Sequence, residues 1–349
     1  MRVAVVTMET IHTEDTARTR RLDRIARQLR DDDHEVIVCC AQWWDGEIAY
    51  FEQDGIRYER VTTERSSRPF ATRLPLTLRR VGADIIYASY WPISAAVSAV
   101  SGRWLSRSPV ALDWYGDMSV DPNARLTRSA LRLPDIVIAP SRHVRTKLRE
   151  LGAAAENIEI VPDSIDVGRI KTVSPLEGVD IVTARRLDEA ANVDMMLLGL
   201  AELRDRDWNA VVIGDGPAKA RYERKAAELR IDDRVTFPGA LTRDERIAHY
   251  RGAHVFVQTA EHCPFAVELL WAMASGCVGI VDYQEDSAAH ELVEHLDRGF
   301  RTTDAEALSE AIVAAGDLDE QTFDDTFSEY DHEHVLAQYL RLFEELRTR

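Results

Sequence analysis

The residues most able to do chemistry in this chain stand in one stretch, His262-Cys-Pro-Phe-Ala-Val-Glu-Leu-Leu-Trp-Ala-Met-Ala-Ser-Gly276, followed by the run Cys277 to Val281. Pro264 suits the first turn of a helix, where a missing N–H is no loss. Apolar residues then recur at helical spacing through Met273, and Ser275-Gly276 closes the run. The first N–H groups of a helix lack intrahelical partners, so Pro264, Phe265, Ala266 and Val267 mark a place that suits an anion. Glu268 is the one carboxylate inside this stretch. A second pair of candidates, Arg185-Arg186, follows the strand Asp180–Thr183, and ligands gather at the carboxyl ends of strands in α/β sheets. Gly214-Asp-Gly216-Pro217 follows another apolar run, Ala210–Ile213. As a dinucleotide fingerprint it is weak, because position 219 is Lys rather than a third Gly. Asp31-Asp32-Asp33 has the letters of an Asp-x-Asp metal motif but falls between a helix and a strand, where a solvated turn is expected. Cys39, Cys40, Cys263 and Cys277 show no metal-ligand spacing.

The elements that must position these residues alternate along the chain. Strands are expected at Val3–Thr7, Glu35–Cys40, Asp84–Ala88, Val110–Asp113, Asp135–Ala139 and Ile158–Val161, with helix-sized spacers between most of them. Asp54-Gly55 between Tyr50-Phe51 and Ile56-Arg57-Tyr58 reads as a hairpin turn. Ser141 is a suitable N-cap for the helix His143–Leu151, which Gly152 closes. A second set of strands follows at Asp180–Thr183, Ala210–Ile213, Arg234–Phe237, His254–Val257 and Cys277–Val281, and the tail His334–Leu346 is amphipathic. Strands separated by helices argue for mostly parallel, doubly wound sheets, here in two copies of one architecture.

Taken together these motifs resemble the signature of the retaining glycosyltransferases of glycosyltransferase family 4. In that family one Glu precedes a Pro-Phe-Gly-like turn and a second opens Ala-Met-Ala-x-Gly. Here Pro264-Phe265 and Ala272-Met273-Ala274-Ser275-Gly276 match, while the two Glu positions hold Cys263 and Trp271. Gly214-Asp-Gly-Pro217 and Asp232-Asp-Arg-Val-Thr-Phe-Pro-Gly239 match further family motifs. Pro162-Asp-Ser-Ile-Asp166 is similar to the family's Pro-Asn-Gly-Val-Asp segment.

The resemblance implies a GT-B fold: two Rossmann-like domains with a cleft between them. Residues 1–165 would be the acceptor-side domain, 166–333 the donor domain, and 334–349 a helix crossing back to the first. It implies that Arg186 stabilises the departing diphosphate, with Ala191 where the family has a Lys. Gly214, Gly216 and the loop Gly239-Ala240-Leu241 would contact the donor, with assistance from the Pro264–Val267 amides, and Glu268 would meet a donor-sugar hydroxyl. On the acceptor side, Tyr115 stands where the family has a His; it and Asp113 or Asp117 would hydrogen-bond a sugar. The loop Met8–Asp15, which often carries paired glycines in the family, has none.

The implied activity is hexosyl transfer from a nucleotide-sugar to a saccharide or lipid-linked acceptor, with retention, without metal and without any cofactor beyond the nucleotide-sugar co-substrate. Four altered family positions, Tyr115, Ala191, Cys263 and Trp271, favour a rival: a non-catalytic relative that binds nucleotide-sugar or a partner enzyme. Arg186 and the intact Pro-Phe turn oppose it.

Composition sets the partners. The 349 residues carry a net charge of −17, all of it beyond residue 165: the first 165 residues hold 23 basic and 23 acidic side chains, the remainder 20 and 37. Nucleic acid is therefore not expected as a partner. The acidic surplus with only four lysines reads as the surface of a salt-adapted protein. Arg57 to Arg80 carries seven Arg against two Glu, interleaved with Phe70, Leu74, Leu76 and Leu78, which points to peripheral membrane contact. Met1-Arg2 leads directly into a strand, so a cytoplasmic protein without a signal peptide is expected, peripheral at the inner membrane face.

Overall fold

The computed structural model describes residues 1–116 and 125–348, and the chain divides into two compact units, Met1–Asp163 with Glu333–Arg349, and Ser164–His332. In the first unit the strands are β1 (Arg2–Val6), β2 (Glu35–Ala41), β3 (Tyr50–Gln53), β4 (Ile56–Thr62), β5 (Ile85–Ser89), β6 (Val110–Asp113), β7 (Ile136–Ala139) and β8 (Ile158–Ile160). They form one sheet in the order β3-β4-β2-β1-β5-β6-β7-β8, parallel throughout except for the β3–β4 hairpin. Asp54 (φ 52°) and Gly55 (φ 74°) turn that hairpin, the two positive φ values a tight two-residue connection requires. Val3 to Val6 are buried because helices cover both faces, which is why the strand reads as an unbroken apolar run rather than an alternating one.

Crossover handedness assigns those helices. The step from β1 to β2 runs one way along the sheet, whereas β4 to β5, β5 to β6 and β6 to β7 all run the other way. Right-handed crossovers therefore put Ser67–Val81, Ile93–Ser106 and Arg125–Arg132 together on the face opposite Ala17–Asp31. Leu22, Ile25 and Leu29 of Ala17–Asp31 share their core with Val335, Tyr339 and Phe343 of the long tail helix His332–Thr348. Ser141 caps Arg142–Glu150 by accepting from the Val144 N–H.

The second unit is built on β9 (Ile181–Ala184), β10 (Ala210–Ile213), β11 (Val235–Gly239), β12 (Val255–Gln258), β14 (Val278–Asp282) and β16 (Gly299–Thr302), with the two-residue β13 (His262–Cys263) paired to β15 (Asp286–Ser287). The six-stranded sheet is parallel, in the order β11-β10-β9-β12-β14-β16. This is the Rossmann order. Its topological switch point lies between β9 and β12, so the loops that leave those two strands flank the crevice where ligands bind in such sheets. Among the described residues no helix is long and apolar enough to cross a membrane.

Candidate active site

The loop after β9 carries Arg185 and Arg186. Arg186 is open to solvent, its side chain 73% exposed, with Asp188 at 3.9 Å as a loose neighbour. The backbone beneath it is pinned to the next strand: Arg185 N–H donates to Ile213 O at 3.0 Å and Leu187 N–H to Asp215 O at 2.9 Å. Close approach explains the Gly-Asp-Gly-Pro turn. A Cβ on Gly214 (φ 137°) would stand 1.8 Å from the Arg185 carbonyl oxygen, and one on Gly216 2.3 Å from that of Leu187. Gly214 N–H in turn donates to Gly239 O at 2.9 Å, so Arg186, Gly214, Gly216 and Gly239 form one backbone-linked edge. Ala240 is exposed and Leu241 half-buried just beyond it.

The loops flanking the switch point are tied to each other. Thr259 Oγ1 donates to Ala191 O at 3.0 Å and Glu261 N–H to Ala190 O at 3.1 Å. Ala191 is buried. The helix after the second loop starts later than the sequence implies: it runs Val267–Ala274 with Ala266 as its N-cap, so Pro264 precedes the helix instead of opening it. The Val267 N–H is used locally, donating to Phe265 O at 3.0 Å. Of the amides assigned to an anion, Val267's is therefore engaged, and Pro264 has none to give.

Glu268 is not free to meet a sugar. Its Oε1 accepts from Arg246 at 2.6 Å, and its Oε2 from Arg243 at 2.9 Å and from the Tyr250 hydroxyl at 2.7 Å. Burial alone would raise its pKa, but the two guanidiniums outweigh that and hold the carboxyl below its usual range. Arg243 also stacks over Trp271, 4.7 Å from the ring centroid, and Trp271 is only 5% exposed. Both replaced Glu positions thus hold buried side chains, since Cys263 also lies inside, on β13, its sulfur 3.7 Å from Gln258. Phe265 is buried against Tyr330.

The acceptor-side expectation is corrected in the first unit. Asp113 and Tyr115 are both buried, and both belong to one ion network. Arg21, itself buried, donates to Asp113 at 3.1 Å, to Asp163 at 2.9 Å and to Val161 O at 2.7 Å. The Tyr115 hydroxyl donates to Asp163 at 2.6 Å, and Arg24 pairs with the same carboxylate. Burial raises the pKa of Asp113 despite Arg21; for Asp163 burial pulls the same way, but Arg24 and Arg21 prevail and lower it. Two carboxylates balanced by two guanidiniums inside a fold hold strand ends and helix together, which is a structural task. Asp117 lies outside the described residues. Asp31 ends its helix and Asp33 takes φ 59°, as a turn requires. In the basic stretch Phe70, Leu74 and Leu78 turn into the core, and of the four apolar residues only Leu76 faces out.

Two groups escaped the sequence reading. Asp282, at the carboxyl end of β14, is buried; its Oδ2 accepts from Asn192 at 3.4 Å and from Gln284 at 2.7 Å, while Oδ1 has no hydrogen-bond partner among the described residues. Burial pushes its pKa up. The signal was present, an acid ending an apolar strand. Lys219 opens the helix Lys219–Glu228, and its ammonium would lie 3.5 Å from a Cβ on Gly239.

Comparison with known proteins agrees with this architecture. Residues 18–163 match the glycosyl transferase 4-like domain, and residues 166–325 match the glycosyl transferases group 1 family. The chain has the GT-B fold, and its two successive matches are both to glycosyltransferase families, which together span most of its length. It is 29% identical over 160 residues to the 2-deoxystreptamine glucosyltransferase of Streptomyces kanamyceticus, covering 42% of this chain and 41% of that protein. It is 25% identical over 229 residues to the alpha-monoglucosyldiacylglycerol synthase of Streptococcus pneumoniae, covering 60% and 52%. The matches therefore span about half or less of these relatives' own length. Among solved structures, Anabaena HepE in complex with UDP superposes with a TM-score of 0.81 at 18% identity, over 99% of this chain and 100% of that one. Sucrose-phosphate synthase from Thermosynechococcus elongatus gives 0.76 at 16% identity, over 99% and 98%.

Proposed function

We propose that the chain transfers a hexose from a nucleotide-sugar to a saccharide or lipid-linked acceptor with retention, using no metal ion and no cofactor besides its nucleotide-sugar co-substrate. The observation that carries this reading is the switch-point edge of the second unit. There an exposed guanidinium, Arg186, stands on a loop clamped by the Gly214–Gly216 turn and bonded to the loop after β12. A diphosphate leaving group needs positive charge close at hand, and a guanidinium carried on a clamped backbone loop meets that need without a metal. One named relative is a 2-deoxystreptamine glucosyltransferase and the other an alpha-monoglucosyldiacylglycerol synthase, so both soluble and lipid acceptors are consistent with the reading. A cytoplasmic enzyme touching the inner membrane face would reach either.

A panel of nucleotide-sugars, read by thermal shift and by release of free nucleotide, tests the reading. Ligand at about a hundred times its Kd stabilises a native state by roughly 2.7 kcal/mol, a shift that is easily seen. One donor should both raise the melting temperature and be turned over slowly to free nucleotide. If no nucleotide-sugar shifts the transition, the donor site is misassigned. Trp271 and Cys263, buried at the two positions where the resembled family pattern has glutamates, favour the second reading, a binding protein without turnover. Its mark would be a thermal shift with no nucleotide released in the presence of any acceptor.

A further inference from the structure

A nucleoside diphosphate carries more than one negative charge, and the sheet edge that would receive it in the second unit is crowded with acids. The loops leaving β9, β10, β12, β14 and β16 hold Asp188, Glu189, Asp215, Glu261, Glu285 and Asp304. An anion approaches such an edge only where cations outweigh that field. Arg186 is a single charge. Of the other cations at the starts of these connections, two are already engaged. Arg243 is held by Glu268 at 2.9 Å and stacks over Trp271. Arg185 turns back along its own loop and donates to Arg186 O at 3.4 Å.

Lys219 is the third. It opens its helix directly after the Gly214-Asp-Gly216-Pro217 turn that clamps the Arg186 loop. Its backbone N–H donates to Gly216 O at 3.2 Å, and the Ala218 N–H before it donates to Leu187 O at 2.9 Å. The base of the side chain is thus tied both to the turn and to the residue after Arg186. Its ammonium stands over Gly239, the last residue of β11, 3.5 Å from where a Cβ would be. Gly239 O in turn accepts from the Gly214 N–H. The side chain is 25% exposed, and its one ion-pair partner among the described residues is Glu223, at 4.0 Å. Helix stability does not account for this lysine. A cation in the first turn lies at the positive end of the helix dipole, and neither that turn nor the cap residue, Ala218, brings an acid to offset it.

We propose that the Lys219 ammonium binds the diphosphate of the nucleotide together with Arg186, the two cations flanking the Gly214–Gly216 turn. The inference rests on the donor reading of this edge. The two groups suit different parts of the task. The guanidinium fork grips two oxygens in a fixed geometry, whereas the ammonium is a compact charge with three rotatable donors that can follow a nearby oxygen.

Calorimetric titration of the full chain with UDP, GDP and ADP tests it, with the matching nucleosides followed by ligand-observed NMR, which reads weak binding. The unaltered protein should bind at least one diphosphate more tightly than its nucleoside. Lys219→Ala should weaken that diphosphate by at least about tenfold, as loss of a charge-assisted contact does, and leave the nucleoside unaffected. Lys219→Arg should retain most of the affinity, while Lys219→Gln, which keeps length but not charge, should behave as Lys219→Ala. Without ligand all three variants should melt with the unaltered protein, because Glu223 is a loose partner. Adding Arg186→Ala to Lys219→Ala should weaken the diphosphate further than either change alone. If Lys219→Ala binds the diphosphate as tightly as the unaltered protein while Arg186→Ala does not, the assignment of Lys219 falls and the donor reading stands. Equal weakening of diphosphate and nucleoside also overturns the proposal, because it places the ammonium on the base or ribose. Failure of the unaltered protein to bind any of the three diphosphates overturns both.

Discussion

Arg186 and Glu268 carry opposite charges and meet opposite circumstances, and their mutants should separate accordingly. Arg186 is exposed on a clamped loop with Asp188, at 3.9 Å, as a loose counter-ion, so little of the fold depends on it. Arg186→Ala should leave the melting temperature unchanged and cost at least about tenfold in turnover, because a charge-assisted contact to phosphate is worth about 1.5–3 kcal/mol. Arg186→Lys should recover only part, as an ammonium cannot make the forked contact. Arg185→Ala should be nearly silent; equal losses at both arginines would put the phosphates elsewhere. Glu268 is the reverse case, 14% exposed and gripped by Arg243, Arg246 and Tyr250. Glu268→Gln leaves two guanidiniums without their counter-charge and should cost about 3 kcal/mol in urea unfolding at neutral pH. The pH dependence has a definite sign. The folded-state pKa lies below the ordinary 4.5, so the ionised carboxylate contributes its full stability above that value. That contribution is lost as pH falls through the lower folded pKa, and the Gln variant should show a shallower loss in acid. An unchanged acid limb would mean that the network does not act through ionisation.

At the scale of elements, the turn that holds the Arg186 loop is the feature most open to test. A Cβ on Gly214 would collide with the Arg185 carbonyl, and one on Gly252 with the Leu176 carbonyl, at 1.8 and 1.7 Å. Gly214→Ala and Gly252→Ala should therefore both destabilise, by roughly 1–3 kcal/mol or more as overpacked sites do. Only Gly214→Ala moves the donor edge, so nucleotide-sugar affinity per folded molecule should fall for that variant and hold for Gly252→Ala; matched losses would remove the turn's positioning role. The elements themselves were largely legible in sequence, because fully buried parallel strands such as Val3–Val6 and Val255–Gln258 leave apolar runs bounded by turn residues. Side-chain partners were not. Nothing local to Glu268 announces that Arg243, Arg246 and Tyr250 line the facing helix. Nor does Asp113-Trp-Tyr115 reveal that Arg21 and Asp163, distant in sequence, close over it. The helix starts past Pro264 because the chain leaves β13, paired with β15, through a tight turn in which the Val267 N–H donates to Phe265 O, so regular helix begins only at Val267. Period 3.6 likewise could not say which side of Ser67–Val81 faced the sheet, and three of its four candidate membrane residues went inward.

Charge is divided over the whole molecule in a way neither residue nor element shows. The first unit holds 26 acidic and 26 basic side chains, the second 34 and 17, so the second carries the entire excess. Within it the ion pairs that form are mostly exposed, such as Arg169–Asp244, and pairs of that kind contribute at most about 1 kcal/mol each. Self-repulsion among unmatched carboxylates then opposes folding of the compact unit and is relieved by ions, which screen over about 10 Å at 0.1 M and about 3 Å at 1 M. Thermal unfolding in KCl from low to molar concentration should therefore show a rising midpoint. An uncharged osmolyte at equal osmolality screens no charge, so it should not reproduce the part of the rise that comes from carboxylate repulsion. A midpoint that stays flat or falls with KCl would mean that the acidic surface is no burden at low salt, and the salt-adapted reading of the composition would be abandoned.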